Sequence, residues 1–310
     1  VSVDDLTDPD DPAVPPAFRE YGTQPLPQSP AFGHGKNGVA DLVFGREGDN
    51  PTRLLSDLVK VPYHLTGTLD SDPAPGLTTV CLQEPTGGVA QGDRHSLSVE
   101  TREGARAHVT TQSATKVHSM KANYAHLDAT LVAESGAYLE YIPGPTIVNE
   151  DARCLQTTTV EMAPDATVVV GDVFVPDGLT DHEPFDFEHY HSRLEASVDD
   201  DLVCADAVDL RPDERDPRDP ATVGDHAVVG TLYVFAPDAT DTDALADALY
   251  DRLADREVAA GASVLKDDAG VTVRVLGDRS ADVTAGVEAA WDETRETLLG
   301  VGAPLEGRGR

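Results

Sequence analysis

Residues 86–116 read TGGVAQGDRHSLSVETREGARAHVTTQSATK. The opening places Gly87, Gly88 and Gly92 within six residues and closes them with Asp93. Glycine accepts positive φ and close backbone approach, so this is a tightly folded turn and not a loose linker. Leu97 and Val99 then alternate with polar neighbours, the period of a half-buried strand. Glu103-Gly104-Ala105 starts a second strand over 105–112. It runs into Gln112-Ser113-Ala114-Thr115-Lys116, small and polar where a strand end is ordinarily apolar.

The turn-then-strand unit recurs. Ser135-Gly136-Ala137 follows Glu103-Gly104-Ala105 by 32 residues, and Pro164-Asp165-Ala166 follows by a further 29. Two architectures fit that recurrence: stacked coils of sheet, none able to bury its apolar face alone, or a β-sandwich built from regular hairpins. The pattern alone leaves both open. Strand-like runs continue on either side, from 39–44 through 78–83, 127–133, 137–142, 155–162, 167–174, 202–210 and 228–234. No helical period interrupts 38–235, so an all-β core is expected over 33–235.

The last quarter changes period. Asp241 stands where it can cap a helix whose apolar face is Leu245, Leu249 and Leu253. Gly261 ends the region after it, and 271–276 reads as a strand. Val283, Val287 and Trp291 stand four apart, with Leu298 beyond, predicting a helix over 280–299 stopped by Gly300. Residues 236–300 therefore form an α+β portion packed on the core, and 301–310 a loose tail. At the other end, residues 1–32 are acidic and Pro-rich without visible period, as expected of a mobile extension or a segment laid over the surface.

A chain of 310 residues holds one large domain or two ordinary ones, with a sizeable core. Its formal charge is −33, from 56 acidic against 23 basic residues, and Lys36, Lys60, Lys116, Lys121 and Lys266 are its whole lysine set. Phosphates would be repelled, which argues against nucleic acid as a partner. An Asp-rich, Lys-poor surface suits a protein kept soluble in concentrated salt, where screening removes most self-repulsion. The three cysteines, Cys81, Cys154 and Cys204, lack paired spacing, so neither a disulfide framework nor a cysteine zinc site is expected. No run reaches the ~18 apolar residues of a membrane span and no signal segment opens the chain, so a cytoplasmic protein without a membrane partner is expected.

Chemistry has few candidates. Gly33-His34-Gly35-Lys36-Asn37 lacks the spacing and the Ser or Thr of a phosphate loop, and no nucleophile elbow, His-Glu-x-x-His or dinucleotide fingerprint is present. Asp93 suits two roles: locking its own turn, or lining a passage or contact surface. Lys116 likewise suits an ion pair within the turn or a contact to an anion or partner. His189 and His191, two apart on a strand, share one face. With His182 and Glu183 just before them and Glu188 pointing the other way, they are the metal candidates, imidazole suiting nickel and zinc alike. His118 and His126 lie near the polar strand end and stand behind them. Paired carboxylates on a stacked β core would alternatively suit a β-helical hydrolase cleaving polysaccharide.

Several words resemble the UreD (UreH) family of urease accessory proteins. They are the Gly87-Gly88-x-x-x-Gly92-Asp93 turn, the Thr111-Gln112-x-Ala114-Thr115-Lys116 strand end, Leu139-Glu140-Tyr141-Ile142-Pro143, and Pro145-Thr146-Ile147. A closing set runs from Gly261-Ala262-Ser263 through Val275-Leu276-Gly277-Asp278 to Trp291, Arg295 and Leu298-Leu299-Gly300. The likeness covers roughly 38–300. The chain departs at its N-terminal extension, at Gly178 and Glu183 where the family has a Gly-Arg and Gly-Glu pair, at His118 in place of a tyrosine, and at an end without an aromatic. The resemblance implies a mainly β, stacked β-helix-like core with a C-terminal α+β portion containing two helices. It implies a scaffold with no catalytic residues and no tightly bound cofactor. Such a scaffold would bind urease apoprotein and UreF, reach the GTPase UreG through UreF, and carry nickel transiently through a polar passage. The residues it would assign to binding or to that passage are Gly87, Gly88, Gly92, Asp93, Gln112, Thr115, Lys116 and Glu140.

Overall fold

The three turn-then-strand units stack directly on one another. Gly104 N donates to Ser135 O at 2.9 Å, and Ser135 Oγ donates to Asp165 Oδ2 at 2.8 Å. The alanine closing each turn, Ala105, Ala137 or Ala166, is buried. The computed structural model describes residues 14–26, 35–69, 71–176, 183–238 and 241–305.

In chain order the elements begin with a short helix, α1 (Pro16–Gly22), then β1 (Asn37–Gly45), β2 (Arg53–Lys60), β3 (His64–Leu69) and β4 (Thr78–Gln83). The coils follow as β5 (Arg94–Thr101), β6 (Arg106–Thr111), β7 (Thr115–Val117), β8 (Ala125–Ala133), β9 (Tyr138–Ile142), β10 (Thr146–Val148), β11 (Arg153–Met162) and β12 (Thr167–Pro176). The chain closes with β13 (His189–Val198), β14 (Asp201–Leu210), β15 (Val228–Phe235), α2 (Thr242–Leu253), β16 (Ala259–Val264), β17 (Gly270–Gly277) and α3 (Ser280–Leu299).

Successive coils alternate between two sheets. In the first, the order is β14-β13-β11-β8-β5-β1-β2; in the second, β16-β17-β15-β12-β9-β6-β4-β3, with β10 joining β7 to β12. The coil strands β1, β5, β8, β11 and β13 pair in parallel, as do β4, β6, β9 and β12. Hairpins pair antiparallel, so parallel ladders select stacked coils over a hairpin sandwich. The register repeats the turn spacing: Ala107 lies beside Leu139 and Leu139 beside Val168, intervals of 32 and 29. The flanking strands β2, β14, β3 and β15 pair antiparallel and end the stack on each side.

Paired residues of a parallel ladder project to one face, so each inward row is read directly from the register. Leu42, Val99, Leu131, Val160 and Ala196 form one such row, packed against Val80, Val109, Leu139 and Val168 of the other sheet. The outer face of the second sheet is covered by α2 and α3. Leu245, Leu249, Leu253, Val283, Val287 and Trp291 are all buried there. Asp241 caps α2 by accepting from Ala244 N at 3.1 Å, and Gly300 ends α3 in the left-handed region at φ 70°. Both helices lie where the spacing places them.

Three features add to the sequence reading or depart from it. Within the N-terminal segment, α1 is a helix laid on the first sheet with Phe18 fully buried; seven residues are too few to show a period. Gly261 does not end a region but sits inside β16, whose Ala-Ala-Gly-Ala-Ser-Val lacks the β-branched run that marks a strand. The start of the tail is held, with Ala303 N donating to Asp292 Oδ1 at 2.8 Å and Leu305 packed on the helical layer.

Candidate functional site: a polar chamber between the sheets

Toward the ends of the coils that carry β7 and β10, one inward layer is polar, with a second buried apolar cluster of Ala125, Cys154, Phe174 and Tyr190 beyond it. Gly38, His95, Leu127, Gln156 and Ser192 form one row on the first sheet. Thr111, Tyr141 and Asp172 project inward from the second. Between them lies a cavity of about 290 Å³. Its walls include His95, Leu127 and Gln156 from one side and Thr111, Tyr141 and Thr146 from the other. A smaller cavity of about 30 Å³ follows, walled by Asp172, Tyr190, Ser192, Asp206, Tyr233 and Arg274.

Gln156 links the two. Its side-chain nitrogen donates to Asp172 Oδ1 at 3.1 Å, and its oxygen accepts from Thr146 and Tyr190, each at 3.4 Å. Beyond it, Tyr233 donates to Asp206 Oδ2 at 2.6 Å, and Arg274 pairs with the same carboxylate. Gln156, Asp172, Tyr141 and Ser192 keep partial accessibility although they stand between two sheets. This layer is reached by solvent, while the apolar layers on either side of it are buried.

The electrostatics favour neutral or weakly held charge. Burial holds the His95 imidazole down at about 4. Burial raises the Asp172 carboxyl, against the hydrogen bond from Gln156 and the charge of Arg274. Burial also raises Glu84 and Tyr141 on the cavity wall. The carboxylates of the smaller cavity flank an arginine in a space far too small for a sugar ring, so they do not form a glycosidase pair with room for substrate.

The glycine-rich turn meets the cavity wall at Gly87 and Gly88. Gly87, Gly88 and Gly92 have φ of 85°, 122° and 80°. A Cβ on Gly88 would lie 2.2 Å from Lys116 O, so only glycine fits where Val89 N donates to that same oxygen at 2.8 Å. Asp93 locks the turn: Oδ1 accepts from Lys36 N at 2.7 Å, Oδ2 from Ala90 N at 2.9 Å, and the Lys36 ammonium stands 3.2 Å away. The Lys36 ammonium also donates to Gly88 O at 2.8 Å, so the lysine of the phosphate-loop look-alike is a turn anchor. His118 Nε2 bonds Gly87 O at 2.9 Å.

Of the residues marked in the sequence, Gly87, Gly88, Gln112, Thr115 and Lys116 line the larger cavity together. Lys116 is exposed and, among the described residues, forms no ion pair. Gly92 and Asp93 stand behind the wall as turn supports. Glu140 is a correction. It lies on the opposite face of β9, fully buried beneath α3, where it accepts from Tyr138 at 2.6 Å and from Arg295 at 3.1 Å. Strand alternation is the reason: Tyr141 faces the chamber, so Glu140 faces away. Asp72 completes that buried cluster around Arg295.

His189 and His191 do share a face, the outer face of the first sheet, away from the chamber. Glu188 points elsewhere and pairs with Arg153 at 2.6 Å. Asp209 of the neighbouring β14 joins the two histidines, 2.9 Å from His189 Nε2 and 3.6 Å from His191 Nδ1. His182 lies outside the described residues. His126 bonds Thr157 at 2.9 Å, also on the outer face. Gln156, Asp172 and Tyr141 were missed as wall residues. Their signal is a polar side chain at an inward position of an otherwise apolar alternation, visible only once the coil register is known.

The UreD urease accessory protein family matches residues 36–307. The chain is 69% identical over 295 residues to the urease accessory protein UreD of Haloquadratum walsbyi, spanning 95% of this chain and 97% of that one. It is 47% identical over 289 residues to UreD of Haloarcula marismortui, spanning 93% and 96%. Similarity extends to UreD of Photorhabdus laumondii, 32% identical over 295 residues and spanning 93% and 91%.

Proposed function

Because the chain belongs to the UreD family of urease accessory proteins, we propose that it is a maturation scaffold that hands nickel to urease and transforms nothing itself. In this reading it binds urease apoprotein and docks UreF, which brings the GTPase UreG. Nickel is cargo, held only in transit, and the work is done in the cytoplasm, where Cys81, Cys154 and Cys204 stay reduced.

One observation supports this above the others: the solvent-reached polar layer of the interior. Its oxygen and nitrogen donors are dispersed along the walls from Gln112 and Thr115 past Gln156 to Asp172 and Asp206. A conduit must bind weakly enough to release its ion, and scattered amide, hydroxyl and single carboxylate groups do so where a closed cage would not. Gln156 lines the first cavity and bonds Asp172 and Tyr190 of the second, so it is the residue to test. Deleting the gene is expected to abolish urease activity at ordinary nickel and to restore part of it with excess nickel. Complementation with Gln156→Leu, which keeps the volume and removes both polar atoms, is expected to lower activation at least about tenfold while the protein still co-purifies with urease subunits. Normal urease in the deletion strain without added nickel would end the scaffold reading. Full activation by a folded Gln156→Leu protein would end the conduit.

A further inference from the structure

We propose that His189, His191 and Asp209 form a binding site for a divalent cation of the nickel or zinc class, on the outer face of the first sheet, with Arg211 as its resident placeholder. The site is separate from the chamber, and nothing in the conduit reading requires it.

The fold builds the donor set from two neighbouring strands. His189 and His191 project from one face of β13, and the antiparallel pairing of β13 with β14 sets Asp209 directly opposite His191. One donor atom from each residue lies within 4.8 Å of the others. Bonds of about 2.1 Å to a tetrahedral ion place its ligands about 3.4 Å apart. Small side-chain adjustments on two rigid strands reach that spacing. Two imidazoles and one carboxylate suit borderline cations, and three protein ligands leave one position for water.

Two further observations point to a cation here. His191 Nδ1 is buried and aimed at Asp209 Oδ2 across 3.6 Å, longer than an ordinary hydrogen bond. The Arg211 guanidinium already sits where positive charge is wanted. Its Nε stands 3.3 Å from His189 Nε2 and 3.2 Å from Asp209 Oδ1, and Nη2 donates to Asp209 Oδ2 at 3.2 Å. Glu214, 3.5 Å from Arg211 Nη1, offers the displaced guanidinium an alternative partner. Among the described residues, access is one-sided. Phe18 of α1 covers His189 with ring centroids 4.3 Å apart, while Asp209 remains 42% exposed. An ion therefore enters past Asp209 and Arg211 and leaves the same way.

The test is a titration of the full-length chain with nickel chloride or zinc chloride alone, in molar KCl to silence diffuse acidic binding, followed by nickel X-ray absorption. Expected are one ion per chain and two imidazoles in its shell. His191→Ala and Asp209→Asn, both at partly exposed positions, are expected to weaken binding at least about 100-fold. Arg211→Ala is expected to tighten it about tenfold, which removal of a merely structural ion pair would not do. Circular dichroism confirms that each variant is folded. Equal affinities in wild type, His191→Ala and Asp209→Asn, a shell without imidazole, or no tightening in Arg211→Ala would overturn the site. Urease activation is not the readout, so this result and that of the conduit test stand apart.

Discussion

At the scale of single residues, Asp93 has the clearest consequence. It is buried and satisfies two backbone N–H groups 57 and 3 residues away, with a lysine beside it. Asp93→Ala leaves both donors without an acceptor, at about 1–3 kcal/mol each. A loss of about 2–4 kcal/mol is expected by chemical denaturation in molar KCl, and a failure of Asp93→Ala to activate urease would then reflect the turn and not a lost ligand. His95 and His126 set an acid limit. Both are held neutral by burial, at about 4 and about 3, while an unfolded histidine takes up its proton near pH 6.5. The unfolded chain therefore binds more protons below that point. Stability is complete above pH 6.5 and declines as pH falls toward 4 and then 3, by up to about 1.4 kcal/mol per pH unit for each histidine. Glu140, raised by burial, contributes with the opposite sign. Comparing unfolding midpoints of wild type and His126→Gln from pH 7 to 4 checks this. The variant is expected to show the shallower decline.

At the scale of elements, the attachment of α3 rests on an uncommon device. Arg295 is fully buried and holds Asp72 and Glu140, both buried, with Tyr138 completing the Glu140 shell. It thereby ties the helix to β9 and to the segment before β4. Arg295→Met leaves two buried acids without their cation, and a loss of about 3–5 kcal/mol is expected. The triple replacement Arg295→Met, Glu140→Gln and Asp72→Asn should recover much of it, because no buried charge is left unpaired. Close packing around glycine gives a second test of the same attachment. A Cβ at Gly230 would stand 2.6 Å from Val287 and 2.8 Å from Val283, so Gly230→Val pushes α3 off the sheet. Hydrogen exchange is expected to rise first in α3 and only later in the coil strands.

At the scale of the whole molecule, charge and architecture divide the labour. The net charge of −33 is carried by a surface with few cations to offset it, while the two sheets supply the cohesion. Debye screening shortens from about 10 Å at 0.1 M salt to about 3 Å at 1 M. Lowering KCl from 2 M to about 0.1 M is therefore expected to lower the thermal midpoint by about five degrees, on the order of a few kcal/mol of self-repulsion. A midpoint independent of salt would show that the acidic surface contributes solubility alone. The stacked coils also explain how one interior can be dry and wet at once. Each row is a separate layer, so one polar row does not disturb the apolar rows on either side of it.

Much of this was readable from order alone. The glycine turn, the 32- and 29-residue spacing of the coils and the two C-terminal helices follow from local chemistry: positive φ, a period of two, a period of near four and a capping aspartate. Those signals act over a few residues and survive without knowledge of neighbours. The direction each side chain faces across the stack did not follow, because alternation is defined only up to a choice of face. The ladder register made that choice. It turned Glu140 outward to Arg295, turned Gln156 and Asp172 inward to the chamber, and brought Asp209 to His189 and His191 from the next strand. Pairings of that kind depend on burial and long-range hydrogen bonding, and those exist only once the coils have closed.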